Sequence, residues 1–255
     1  MARRLYTFTV SHFSEKGRWS LDYKGVPYEE RRLLPGLHVA VTKRIAPGTS
    51  VPVFVDGDRV VQGSTAIIDY ADGHWPDRPL TPSNSADRER ALELERWLDR
   101  ELGEPLRRVF YFHALPHRRT VVALFTQGAP FWARIFYGVG FNGVASVIRK
   151  MYDVTSENAA MDRDRLKAVF ERLDELLEGR RYLVGDRFSR ADLTLAALAA
   201  PMWDPPEHST RWPPEDAYPP AVTALRAEFV GTKAHDHVMR MYREHRKNPP
   251  PSAAG

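Results

Sequence analysis

At 255 residues, 43% hydrophobic and 27% charged, the chain can form one large domain or two small ones and has the composition of an ordinary globular protein. It has no cysteine, which excludes structural disulfides, thiolate metal sites and a cysteine nucleophile. The net charge of +4 comes from dispersed basic residues, and pairs such as Arg31-Arg32, Arg107-Arg108 and Arg180-Arg181 read as solvated faces, so no nucleic-acid partner is expected.

The opening MARRLYTFTVSH holds too brief an apolar run for a secretory signal, and a cytoplasmic location is expected. Residues 5–10 are β-rich and run into Ser11-His12-Phe13-Ser14. Residues 14–24 favour a helix carrying Trp19, Leu21 and Tyr23, stopped by Gly25. A second strand is expected over 28–33, then a helix after Pro35-Gly36 that ends before Pro47-Gly48. Residues 53–55 and 59–62 flank Asp56-Gly57-Asp58, and Asp-Gly between β-branched runs is a strong hairpin signal. Gly63-Ser64 opens a helix to about residue 72. This alternation predicts a thioredoxin-like α/β domain over residues 1–76, because parallel strands need helical crossovers.

Proline-rich residues 77–85 read as a linker, and residues 86–246 as an all-α domain. A long helix over 86–112 carries Leu92, Trp97, Leu98, Leu102 and Leu106 on one stripe, with a break near 103–105. Residues 120–148 are apolar enough to suggest a membrane span. Arg134, Gln127, Pro130 and four glycines interrupt them, so a bent, buried helical segment and no membrane partner are expected. Another helix fits 158–178. Within 185–200, Ser189 and Asp192 form a capping box with Phe188 and Leu193 as its hydrophobic staple, the cap contributing about 1 kcal/mol. A loop over 201–220, a helix near 221–229, a last helix capped by Thr232 and a disordered tail over 247–255 complete the reading.

The chemistry gathers around residues 50–70. Pro52 cannot donate to a ladder, and a turn or cis bond there leaves the backbone before it open to pair with an extended ligand. Ser64 starts a helix, where unsatisfied N–H groups and the dipole favour an anion. A small peptide carrying a carboxylate fits both features. No Gly-x-Ser-x-Gly elbow supports a hydrolase built on Ser11 and His12. His113 and His117 are separated by Pro116, and His235 and His237 face different ways on a helix, so no metal site is expected.

The stretch SVPVFVDGDRVVQGSTAIIDY resembles the glutathione-binding half of glutathione S-transferases, and the Ser189–Asp192 box resembles the N-capping box of that family's helical domain. The resemblance covers nearly the whole chain and implies the glutathione transferase fold. It implies that Val51 and Pro52 pair the cysteinyl backbone of glutathione and that Ser64 holds the γ-glutamyl carboxylate. The family usually has Glu, Asp or Gln just before that serine; here Gly63 stands there, with Gln62 one position earlier. His38 or Lys43 would face the glycyl carboxylate. The stretch SHFSEKGRWSLDYKGVPYEE resembles the serine-type and cysteine-type classes, zeta and omega among them, which implies Ser11 as the thiolate stabiliser, with Ser14 and Tyr6 as alternatives. An electrophile pocket is expected between the domains, with Phe13, Phe110, Tyr111 and Trp132 as candidate walls.

The implied activity is conjugation of the glutathione thiolate to a small apolar electrophile by a homodimer. Glutathione is then a co-substrate, and no tightly bound cofactor is expected. A glutathione-dependent isomerase, peroxidase or dehalogenase and a non-catalytic binding module of the same fold are the alternatives.

Overall fold

The computed structural model describes residues 3–246. Strands β1 (Arg4–Thr7), β2 (Glu29–Arg32), β3 (Val53–Asp56) and β4 (Arg59–Gln62) form one sheet in the order β2-β1-β3-β4. β2 runs parallel to β1 with Glu29 opposite Arg4, whereas β3 is antiparallel to β1 and β4 antiparallel to β3. The parallel pair is connected by α1 (His12–Tyr23), α2 (His38–Ile45) lies between β2 and β3, and α3 (Ser64–His74) follows β4. Leu5, Leu21, Phe54, Ile67 and Ala71 form the core where α1 and α3 cover the sheet. This is the thioredoxin-like arrangement that the alternation of patterns predicts. β1 stops at Thr7, short of residue 10, because Ser14 Oγ accepts the Phe8 N–H at 3.2 Å and turns the chain into α1.

The helical domain comprises α4 (Ser85–Leu98), a π-helical turn (Asp99–Gly103), α5 (Glu104–Ala114), α6 (Arg118–Phe125), α7 (Phe131–Met151), α8 (Ser156–Leu176), α9 (Arg190–Trp203), a 3₁₀ turn (Glu215–Ala217), α10 (Pro220–Ala227) and α11 (Lys233–His245). α9 is buried along its whole length, at the centre of the core. Its capping box forms as the spacing predicts: Asp192 accepts from the Ser189 N–H at 3.0 Å and Oγ at 2.8 Å, and also from the Leu183 N–H at 2.8 Å. The segment between α3 and α4 is tied down by Asp72, which accepts the Leu80 and Thr81 N–H groups at 3.0 and 2.8 Å and pairs with Lys24 at 2.6 Å.

Two expectations change. The break in the long helix is the π-turn ahead of residue 104, and Gly103 stands where a Cβ would meet the Phe13 ring at 2.8 Å. Residues 131–151 form one unbroken helix through Gly138, Gly140 and Gly143, and only one side of it is buried. Ala133, Tyr137 and Phe141 face inward, whereas Phe131, Ile135 and Val139 are 80%, 61% and 85% exposed. Among the described residues no helix is long and apolar enough to cross a membrane. The expected tail over 247–255 lies outside the described residues.

Candidate active site

The start of α3 and the middle of α1 meet at the turn at Pro52. The Val51–Pro52 bond is cis, and the Pro52 carbonyl accepts the Gly63 N–H at 2.9 Å, which sets the entry of β3 beside the start of α3. Gly17 packs α1 onto this turn so closely that a Cβ would sit 3.0 Å from the proline ring. Lys16, one residue earlier, donates from Nζ to Thr65 Oγ1 at 3.1 Å. Gly63 has φ +99°, a region that favours glycine, and no side chain caps α3. Ser64, buried at the first position of α3, therefore lies beside uncapped N–H groups.

The three thiolate-stabiliser candidates occupy different environments. Ser11 is the N-cap of α1 and half-buried; its Oγ accepts the Ser14 N–H at 3.2 Å, which leaves its own proton to donate. Ser14 is fully buried and closes the loop onto Phe8. Tyr6 lies next to Leu5, which packs beneath α1 and α3, so the tyrosine points to the other face of the sheet.

The remaining candidates are similarly divided. Gln62 is engaged by the loop ahead of Val51: Oε1 accepts the Gly48 N–H at 2.9 Å and Nε2 donates to the Ser50 carbonyl at 2.8 Å. His38 accepts the Gly36 N–H on Nδ1 at 3.0 Å and also bonds the Thr49 backbone. Burial lowers its pKa, the Thr49 bond opposing in part, so the ring is a neutral clip for its own loop. Lys43 is exposed on α2 and forms no ion pair among the described residues.

Residues 16, 65 and 99 were not singled out from the sequence. The fully buried Lys16 pairs with Glu95 and Asp99, both at 2.8 Å, and Thr65 Oγ1 lies 3.2 Å from Asp99. Burial alone would raise the Glu95 carboxyl, but Lys16 and Arg190 hold it below the usual range. Burial does raise that of Asp99, whose side chain is 26% exposed and forms the open rim of the cluster. The π-turn delivers Asp99 here across 83 residues of sequence, and its only signal was the helix break. His12, beside Ser11, is held neutral: burial and then Arg107 depress its pKa to about 3.

The four candidate wall aromatics do not come together. Phe13 and Phe110 pack on the helical core, and Tyr111 stacks on Tyr152 at 5.5 Å. Only Trp132 lines the cavity between the domains, a space of about 320 Å³ walled by Leu34, Leu37, Val41, Phe125 and Pro130, with Thr9, Arg32, His38 and Gln127 as polar members. Thr9 places this cavity on the same loop as Ser11.

A thioredoxin-like sheet with a cis-proline turn, joined to a helical domain whose central helix is capped by Ser189 and Asp192, defines the class. Residues 5–79 match the family model for the glutathione S-transferase N-terminal domain, and residues 143–229 match that for the C-terminal domain. The chain belongs to the glutathione S-transferase family. It is 39% identical over 84 residues to glutathione S-transferase Z2 of Arabidopsis thaliana, covering 32% of this chain and 38% of that protein. The matches to the first curated relatives thus span 37–38% of their length. Among solved structures it is similar to the β-etherase LigF of Sphingobium sp. strain SYK-6, with TM-score 0.62, 19% identity and coverage of 94% and 99% of the two chains. It is also similar to a glutathione S-transferase of Methylobacterium radiotolerans in complex with glutathione sulfonate, with TM-score 0.57, 20% identity and coverage of 93% and 95%.

Proposed function

We propose that this chain binds glutathione on the Pro52 turn, holds its sulfur as the thiolate and adds it to an apolar electrophile. The observation that carries this reading is the placement of Ser11 at the N-cap of α1, with its proton free to donate, while α1 packs on the Pro52 turn beside the uncapped start of α3. Among the described residues the backbone groups of Val51 enter no backbone hydrogen bond, and they pair with the cysteinyl unit of the peptide. Ser64 and the first N–H groups of α3 receive the γ-glutamyl carboxylate. Asp99 receives the adjacent ammonium and so replaces the acidic residue that the family pattern has at position 63. Lys43 meets the glycyl carboxylate from solvent.

A free thiol has a pKa of roughly 8.5, so only a few per cent is ionised at pH 7. Lowering it by about two units requires roughly 2.7 kcal/mol. A hydrogen bond to the charged sulfur supplies about 1.5–3 kcal/mol and a helix N-terminus about 0.3–1 more, so Ser11 and α1 suffice together. The thiol proton leaves to solvent, and the sulfur lone pair forms the new bond as the electrophile's leaving group departs or its π-bond opens. The electrophile occupies the cavity at Trp132.

The test is a calorimetric titration of glutathione, with the bound thiol's pKa read from thiolate absorbance in wild type, Ser11→Ala and Ser64→Ala. Wild type is expected to bind and to lower the thiol pKa by about two units. Ser11→Ala is expected to bind normally while the thiol pKa returns toward its free value, and Ser64→Ala to weaken binding. A thiol pKa unchanged in Ser11→Ala overturns the role of Ser11. Absence of glutathione binding in wild type overturns the function. A panel of electrophiles, peroxides and isomerisable substrates then separates conjugation from the other reactions of the same thiolate.

A further inference from the structure

Residues 105–152 contain seven of the chain's 37 Lys and Arg residues and none of its 33 Asp and Glu residues, so this segment carries +7 in a chain whose total is +4. Two of those cations turn inward: Arg108 pairs with Asp162, and Arg107 lies over the Tyr152 ring at 4.1 Å. Arg118, Arg119, Arg134, Arg149 and Lys150 are exposed, and none pairs with a carboxylate among the described residues. The same segment carries most of the exposed large hydrophobic residues among those described: seven of the eleven lie on α7. Phe131, Ile135 and Val139 follow one another at helical spacing, with Trp132 and Phe136 alongside, opposite the buried Ala133, Tyr137 and Phe141.

We propose that α7 lies on the surface of an anionic lipid bilayer, with Phe131, Ile135, Phe136 and Val139 entering the headgroup boundary and the exposed Arg134, Arg149 and Lys150 of the same helix facing lipid phosphates. An apolar stripe with aromatic residues, on a helix whose only charged residues are Arg and Lys, is the pattern of a helix that lies in a membrane interface without crossing it. The charge selects this occupant over the same face of a second copy, since joining two such faces would oppose Arg134, Arg149 and Lys150 to their equivalents without an acid between them. The expectation of no membrane partner rested on the interruptions that exclude a spanning segment, which do not bear on surface binding.

Flotation of the full chain with vesicles of phosphatidylcholine, alone or mixed with phosphatidylglycerol, tests this. The chain is expected to float with the mixed vesicles only and to be released by salt. Arg134→Gln and Arg149→Gln should each reduce partitioning roughly fivefold, and Val139→Asp roughly tenfold or more. Val139 is 85% exposed, so Val139→Asp should leave the melting temperature unchanged, and that measurement separates lost docking from misfolding. Equal recovery with both vesicle types, or Val139→Asp partitioning like wild type, overturns the proposal. So does a dimer in sedimentation equilibrium that Val139→Asp dissociates, which would assign the face to a second copy.

Discussion

Glu15 and Lys16 are neighbours on α1, yet they head two charge clusters of opposite kind. Glu15 is fully buried, 2.6 Å from Arg18 and 2.7 Å from Arg246, with Ser209 Oγ at 2.9 Å. Arg18 also holds Glu30, and Arg246 also holds Asp22. Burial alone would raise the Glu15 carboxyl, but Arg246 and Arg18 outweigh it and keep it ionised far below the usual carboxylate range. This cluster is closed: it fastens the end of α11 and the loop at 208–209 onto α1. Lys16 is as buried as Glu15 and pairs with the buried Glu95, but its second carboxylate, Asp99, is 26% exposed and its remaining hydrogen bond ends on Thr65 in the first turn of α3. A closed cluster can only hold the fold, whereas an open one at a helix N-terminus has a position that a ligand can occupy.

The largest effect expected from this contrast is on stability. Glu15→Gln leaves Arg18 and Arg246 buried without their shared carboxylate, and should lower the unfolding free energy by about 3–5 kcal/mol in denaturant titrations. A loss below about 1 kcal/mol would mean that Glu30 and Asp22 neutralise the two arginines unaided. Acid should act on the same cluster through His208, which lies 3.9 Å from Glu15. Burial depresses its pKa from 6.5 to about 4, with Glu15 opposing and Arg18 and Arg246 reinforcing. The unfolded chain takes up this proton near pH 6.5 and the folded chain only near pH 4, so its contribution is complete above 6.5 and is lost as the pH falls between these values. The predicted loss is about 3 kcal/mol, and His208→Gln should remove that part of the slope while His12, depressed for the same reason, retains its own.

What was legible in the sequence is what local chemistry encodes. The hairpin follows from Asp56-Gly57-Asp58, the buried helix α9 from Ser189 and Asp192, and the order of sheet and helices from alternating patterns. Contacts across long separations were not legible: Lys16 meets Asp99 across 83 residues and Glu15 meets Arg246 across 231, and no periodicity encodes either. Aromatic stripes were ambiguous for another reason, since Phe13, Phe110 and Trp132 share a chemistry and only packing decides that Trp132 alone reaches the cavity. The apolar stretch at 120–148 suggested burial, yet exposure depends on what packs against a helix, which its own residues do not state. Gly63 looked like a lost contact. At φ +99° the backbone favours glycine there, and in the proposed binding mode the carboxylate is that of Asp99.

The smaller predictions probe the open cluster. Asp99→Asn should weaken glutathione binding by about tenfold to a hundredfold, the range of a charge-assisted hydrogen bond, while changing stability by less than about 1 kcal/mol. Stability is spared because Glu95 still neutralises Lys16 and burial already disfavours the charged form of Asp99. Glutathione lacking its amino group should be insensitive to the substitution. If it is not, Asp99 acts on the fold of the site and not on the ammonium.

Lys43 is one step further from the interior. It is exposed and unpaired on α2, so any bond it makes to the glycyl carboxylate is screened by water and opposed by the entropy of a long side chain. Lys43→Ala should therefore weaken binding only about twofold to fivefold, less in high salt, with the bound thiol's pKa unmoved because the charge removed lies at the far end of the peptide from the sulfur. A tenfold loss that persists in salt would show that the glycyl end is buried on binding. In that case α2 closes over the peptide, and the contrast between closed and open clusters would hold only for the unliganded protein.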